Sequence, residues 1–168
     1  RRLEADVKRA GKVHRTVFAG AEVAEKLKAI GTSGQRASGS LVRAWPDPKY
    51  FDSPTVSLPD LERTLRAKAV LLPGVKITLH VEKGKEWKTQ SWSYSGGLEE
   101  YLQELGEGLT PVVPIFAGEN YLGKPKDGDT FAEGEGAAWA FAWYDEGAAV
   151  AESYVNLIPT PAGGTHEA

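Results

Sequence analysis

Residues 34–54 read GQRASGSLVRAWPDPKYFDSP. Small, flexible residues tighten into an apolar run from Leu41 to Trp45. Pro46-Asp47-Pro48 then ends that run, because proline is excluded from a helix interior and from a central strand. The stretch therefore delivers one strand between a pliable loop and a stiff turn. Ser40 stands at the entrance of the strand, where its hydroxyl can face a pocket. Alone, this is the edge of a binding site whose ligand is unspecified.

Working outward toward the N-terminus, residues 3–9 and 12–18 flank Ala10-Gly11 and predict a β-hairpin. Residues 21–30 favour helix by composition, yet the segment is short and bracketed by Gly20 and Gly31, which leaves it open between helix and strand. Toward the C-terminus, residues 57–72 carry Leu58, Leu61, Leu65, Ala69 and Leu72 at helical spacing. Ser57 with Asp60 forms a capping-box pattern, Pro59 sits in the first turn, and Pro73-Gly74 ends the helix. Residues 75–82 alternate strictly between apolar and polar, as a half-buried strand does, and residues 87–94 return as its hairpin partner.

Past Gly96-Gly97, residues 98–105 predict a short amphipathic helix and residues 112–117 a strand despite Pro114. Residues 119–136, glycine-rich and polar, predict a long exposed loop. In residues 137–145 alanines alternate with Trp139, Phe141 and Trp143, the pattern of a strand with one bulky face. Residues 149–158 follow as a further strand. The order predicts an α+β fold with a boundary at Gly96-Gly97.

Composition narrows the function. At 168 residues the chain is long enough for one ordinary domain or parts of two. A net charge of −3 with interspersed signs provides no bulk basic field for nucleic acid. The absence of cysteine removes disulfides, thiolate nucleophiles and zinc knuckles, and fits a reducing cytoplasm. No apolar run reaches the length of a membrane span, and no signal peptide is visible. Methionine is absent even at position 1, so the chain reads as an internal piece of a longer protein.

Candidate chemistry is sparse. His14, His80 and His166 are far apart and lack partners at ligand spacing, so no metal site is expected. Glu133 and Glu135 fall in a glycine-rich loop, where paired carboxylates stay solvated rather than tuned for acid–base work. Trp139, Phe141 and Trp143 could form a stacking platform for bases or sugars, but core packing is the stronger reading, with at least two of the three rings mainly buried. Gly163-Gly164 lacks the lysine and serine of a phosphate loop. Ser40 has no neighbouring histidine to activate it, so ligand hydrogen bonding suits it better than nucleophilic attack. Two rival classes stay in view. One is a stand-alone β-rich carbohydrate- or nucleic-acid-binding module; the other is a small hydrolase using Ser40, His80 or His166 with a carboxylate.

Five segments occur in order: RAGKVHR (residues 9–15), GSLVRAWPDPKYFDSP (39–54), LRAKAVLLPGVKIT (65–78), WSYSGGLEEYL (92–102) and ESYVNLIPTPAGGTH (152–166). Together they resemble the B subunit of bacterial type IIA topoisomerases. WPDPKYFDSP and SYVNLIPT resemble the topoisomerase IV branch more than gyrase, whose supercoiling activity is the alternative. The resemblance implies that residues 1–96 are the C-terminal part of a GHKL-type ATPase domain. Residues 97–168 would be the N-terminal part of a transducer domain similar to the second domain of ribosomal protein S5. It also implies that residues 21–30 are extended.

The resemblance further implies a role for three residues. Ser40 matches a threonine whose hydroxyl joins a water-bridged contact to adenine, Val42 lines the same pocket, and Arg9 matches a rim arginine that contacts aminocoumarin inhibitors. Serine keeps the hydroxyl and drops a methyl. The family's catalytic glutamate, magnesium-binding asparagine, adenine-binding aspartate and glycine-rich lid would precede Arg1, and its γ-phosphate-sensing lysine would follow Ala168. No catalytic residue is therefore expected in this chain, and no tight binding of ATP or Mg²⁺ by it alone. The implied partners are duplex DNA, the topoisomerase A subunit, which cuts DNA, and a second B subunit, with no membrane, in a cytoplasmic, nucleoid-associated setting.

Overall fold

The computed structural model describes residues 1–53, 55–124, 126, 130, 132–161 and 163. These form two compact units, Arg1–Val56 and Ser57–Ala168. The first unit is an antiparallel sheet of β1 (Arg2–Arg9), β2 (Lys12–Ala19), β3 (Glu22–Thr32) and β4 (Gly39–Trp45), in the order β3-β2-β1-β4. Ala10 and Gly11 both have positive φ (49° and 76°), so a two-residue turn pairs Arg9 with Lys12 and sets the register of the expected β1–β2 hairpin. Residues 22–30 lie in a strand and only Ala21 falls in the turn before it, as the family resemblance implied and composition did not. Pairing with β2, interrupted by register shifts, overrides the helical propensity of the alanine, glutamate and lysine there. After β4, Asp47 accepts a hydrogen bond from the Lys49 N–H (3.2 Å) and caps a single 3₁₀ turn, Pro48–Tyr50.

The second unit opens with α1 (Leu58–Leu71), then β5 (Ile77–Lys83), β6 (Glu86–Trp92) and α2 (Gly97–Leu105). Helix α1 begins at Ser57 as expected, but the Ser57 side chain makes no capping hydrogen bond. Asp60 turns instead to Arg63 (3.2 Å), so the capping box is not formed. Buried Ala69, Val70, Trp92 and Tyr94 make the core, with Leu65, Ile77, Leu79, Leu98 and Tyr101 packed around them. The break in packing therefore falls between Val56 and Ser57, because α1, β5, β6 and α2 share this one core. Gly97 starts α2 at φ = 57°, and a Cβ there would lie 3.2 Å from Pro73 Cγ. Gly97→Ala is accordingly expected to cost about 1–2 kcal/mol, the penalty for an alanine in the left-handed region. Urea titration checks this, and a cost under about 0.5 kcal/mol would count against the assigned backbone.

Beyond α2 the sequence expectations need four corrections. Residues 112–117 were expected as a strand, but pairing begins only at β7 (Phe116–Tyr121). Prolines 111 and 114 cannot donate to a ladder, and in this stretch the Val112 N–H reaches the Trp143 carbonyl (2.8 Å) outside any strand. Residues 119–121, expected in a loop, belong to β7 and pair with β8 (Gly136–Phe141). Residues 149–158 are not one strand. They contain β9 (Tyr154–Val155), which pairs with β10 (Ile158–Pro159) across a turn at Asn156-Leu157 with φ of 48° and 70°. The Lys68 ammonium donates to the Leu157 carbonyl and ties this turn to α1.

The fourth correction concerns the rings. Trp139 is half-buried, lying across Gly118, but Phe141 and Trp143 are 51% and 54% exposed. Packing was expected for at least two of the three. It fails for Phe141 and Trp143, which stay exposed beside a sheet of only two strands, β7 and β8. The expectations for Pro54, Gly164, Thr165 and His166 lie outside the described residues.

Candidate functional site

Register places the expected site residues. Across β2, β1 and β4, His14, Val7 and Ser40 align in one row, and Thr16, Ala5 and Val42 in the next. Side chains alternate across a strand, so both rows share one face, with Leu3, Phe18 and Ala44 in a third row. Arg9 is two positions beyond Val7 on that same face, past the last β1–β4 pair, and thus at its rim. Ser40, Val42 and Arg9 are exposed; Val42 retains 60% of its surface. The face is mainly apolar, with a hydroxyl and an imidazole in its outermost complete row and two cations, Arg9 and Lys12, beyond. Such a surface suits an aromatic heterocycle whose polar edge meets the hydroxyl.

The opposite face is a charge ladder. Arg15 grips Asp6 in a bidentate pair (2.6 and 2.7 Å), and Arg43 approaches Asp6 (3.3 Å) and Glu4 (3.4 Å). Asp6 is 8% exposed. The hydrogen bond from Arg15 is the main cause that holds the Asp6 carboxyl below its ordinary value, against the effect of desolvation. A depressed carboxylate pKa contributes stability that is present above the unfolded value, about 3.9, and is lost as pH falls through the folded value. Thermal melting should therefore show wild type more stable than Asp6→Asn at neutral pH, with the gap closing in acid. A gap independent of pH would contradict this.

The other candidates disperse. His80 bonds Thr89 Oγ1 (2.9 Å) on the outer side of β5–β6, and His166 lies outside the described residues. Among the described residues, no three His, Cys, Asp or Glu side chains gather as metal ligands.

The second unit holds a polar cluster that the sequence reading missed. Arg66 donates to the Tyr94 hydroxyl (2.9 Å), Tyr94 donates to Glu104 (2.5 Å), and Arg66 also pairs directly with Glu104 (2.8 Å). Burial first, then the bond to Glu104, pushes the Tyr94 phenol up, while Arg66 opposes. The Arg66 guanidinium also lies over the Tyr101 ring at 5.1 Å. Glu152 accepts from Tyr101 (3.3 Å) and Tyr154 (2.9 Å) along a cleft of about 280 Å³. Arg66, Tyr94, Tyr101, Glu152 and Tyr154 all fall within three of the quoted segments, but no local pattern flags their meeting, since the segments are far apart in sequence.

The DNA gyrase B family model matches residues 97–168. The B subunit of DNA topoisomerase 4 from Salmonella typhimurium is 42% identical over 167 residues, covering 99% of this chain and 25% of that protein. The Thermus thermophilus gyrase B 43K ATPase domain, solved with an aminocoumarin, superposes with a TM-score of 0.75 at 26% identity, over 99% of this chain and 42% of that one. The topoisomerase IV ATP-binding domain of Francisella tularensis, solved with a small-molecule inhibitor, gives 0.68 at 31% identity, over 99% and 41%. The chain thus spans about a quarter of the length of the curated relatives it matches. With an α+β fold that superposes on these ATPase domains along nearly its whole length, the chain is similar in sequence and fold to the B subunits of type IIA DNA topoisomerases.

Proposed function

We propose that this chain is part of the ATP-driven subunit of a topoisomerase IV-like enzyme, in which ATP binding gates the passage of one DNA duplex through another. Its own contribution is one wall of the adenine pocket, built by Ser40 and Val42 with Arg9 at the rim, and the connection from ATPase to transducer. The observation that carries this reading is the placement of Ser40 and Val42 side by side on an open apolar face, in a chain 42% identical to the B subunit of a topoisomerase 4. The boundary between the two modules is proposed at Gly96-Gly97, where the gyrase B family match begins.

The residues present fit adenine and not magnesium. No carboxylate projects from the aligned rows of the Ser40 face, so Mg²⁺ would be held by residues elsewhere in the protein. ATP bound there supplies the free energy for closure. Ser40 orients a water at the base edge, Val42 excludes solvent beside it, and the Arg66–Tyr94–Glu104 cluster fixes α1 against α2. Duplex DNA, the topoisomerase A subunit, which cuts it, and a second B subunit are the proposed partners. Gyrase-type supercoiling is the second reading, favoured by the Thermus gyrase B superposition. Decatenation and supercoiling assays on the assembled enzyme distinguish the two.

The division of labour has a direct test. The 168-residue chain alone is expected neither to hydrolyse nor to bind ATP tightly, whereas the full B subunit does both. Turnover by the purified 168-residue chain would refute this division.

A further inference from the structure

We propose that Gln35 is a positioning residue for the adenine wall, a clamp that holds the connection from β3 to β4 against the β1–β2 turn. That role rests on the reading of Ser40 and Val42 as the wall. Strand β3 ends at Thr32, opposite Lys12, and β4 begins at Gly39, opposite Lys8. In the order β3-β2-β1-β4, residues 33–38 must therefore step across the end of the β1–β2 hairpin, about 14 Å at three strand spacings. They pass over the Ala10-Gly11 turn and touch it twice. The Ser33 N–H donates to the Gly11 carbonyl (2.9 Å). The Gln35 amide covers the side of Gly11 from which a Cβ would project, and such an atom would stand 3.1 Å from its Nε2 and 3.3 Å from its Cδ.

The contact matters because of what the crossover joins. Arg9 stands just before the turn, and Ser40 just after the crossover. The joint into β4 is Gly39 at φ = 149°, a conformation that other residues rarely adopt, and no described atom lies within 4 Å of where its Cβ would be. That joint is therefore free to swing unless the crossover upstream is held, and Gln35 and Ser33 hold it on Gly11. Gln35 is otherwise exposed, so shortening its side chain frees the crossover locally while the four strands stay paired. Only a fraction of molecules then presents Ser40 and Arg9 in the binding arrangement, and the apparent affinity falls by that fraction.

The test compares Gln35→Ala, Gln35→Met and Ser40→Ala with wild type in the full B subunit, by amide hydrogen exchange and by steady-state ATP hydrolysis. In Gln35→Ala, exchange across residues 33–40 should quicken about fivefold or more. Its KM for ATP should rise roughly 3- to 10-fold, as for an arrangement populated about a tenth to a third of the time. Its kcat should stay within about twofold, because the clamp serves binding and not the chemical step. Methionine matches glutamine in length and bulk, so Gln35→Met should recover both exchange and KM. Unchanged exchange in Gln35→Ala would overturn the clamp, and a raised KM in Ser40→Ala beside it would leave the adenine wall standing. Faster exchange with an unchanged KM would overturn the positioning role, as would a fall in kcat with KM unmoved or a loss that methionine does not recover. An unchanged KM in Ser40→Ala would instead remove the adenine wall itself, and the role of Gln35 with it.

Discussion

Replacing Tyr94 with alanine is expected to destabilise the second unit by roughly 3–5 kcal/mol, the range for large aromatic truncations in a core. Tyr94 is 4% exposed and meets Tyr101 edge-on, with centroids 5.9 Å apart and planes at 80°. Its carbonyl accepts from the Gly74 N–H (3.2 Å), and its hydroxyl joins Arg66 to Glu104. Alanine would leave a cavity beside Trp92 and loosen α2 from α1. Tyr94→Phe keeps the ring but removes the hydroxyl, leaving the direct Arg66–Glu104 pair at 2.8 Å. Its cost should be smaller, about 0.5–1.5 kcal/mol, because Arg66 and Glu104 are partly exposed and water can replace the lost hydrogen bond. Whole domains are stable by about 5–15 kcal/mol, so the alanine variant is expected to be marginal. Urea unfolding followed by tryptophan fluorescence reads both variants. Near-equal costs for phenylalanine and alanine would mean that the hydroxyl network, rather than ring packing, holds the core.

Local signals carried much of this second unit and less of what lies beyond α2. Ile77, Leu79 and Val81 alternate because one side of β5 faces the core, and that period was legible directly. Helices α1 and α2 were legible from apolar spacing. Strand β3 was not, because its lysines, glutamates and alanines describe exposure on an outer strand rather than a backbone preference. The exposed rings of Phe141 and Trp143 misled for a related reason: alternation shows which residues share a side, but not whether anything covers that side. The Arg66–Tyr94–Glu104 cluster joins an α1 residue, the end of the β5–β6 hairpin and α2, and no local period records such a meeting.

The candidate site divides in the same way. The strand Leu41 to Trp45 and the position of Ser40 at its entrance follow from glycine, proline and apolar patterning. The roles of Ser40, Val42 and Arg9 came from the family resemblance. Strand pairing then puts Ser40 beside Val7 and Val42 beside Ala5, on the side away from the Asp6–Arg15 pair.

The second large effect is expected at Ser40. In the proposed pocket its hydroxyl holds a water on the adenine edge, and Ser40→Ala removes that bond without disturbing an exposed strand position. An unreplaced hydrogen bond costs about 1–3 kcal/mol, falling toward 1 if solvent fills in, which corresponds to roughly 5- to 100-fold weaker binding. Ser40→Thr restores a hydroxyl and should be close to neutral. Arg9→His, at the rim, should weaken aminocoumarins while largely sparing ATP. The measurement that bears most directly on the pocket is calorimetric titration of ATP into the full B subunit, wild type and Ser40→Ala. A loss of roughly 5- to 100-fold, recovered in Ser40→Thr, is expected. Unchanged ATP affinity in a folded Ser40→Ala protein would show that this hydroxyl points away from the nucleotide and that the face carrying Ser40 and Val42 is not the adenine wall.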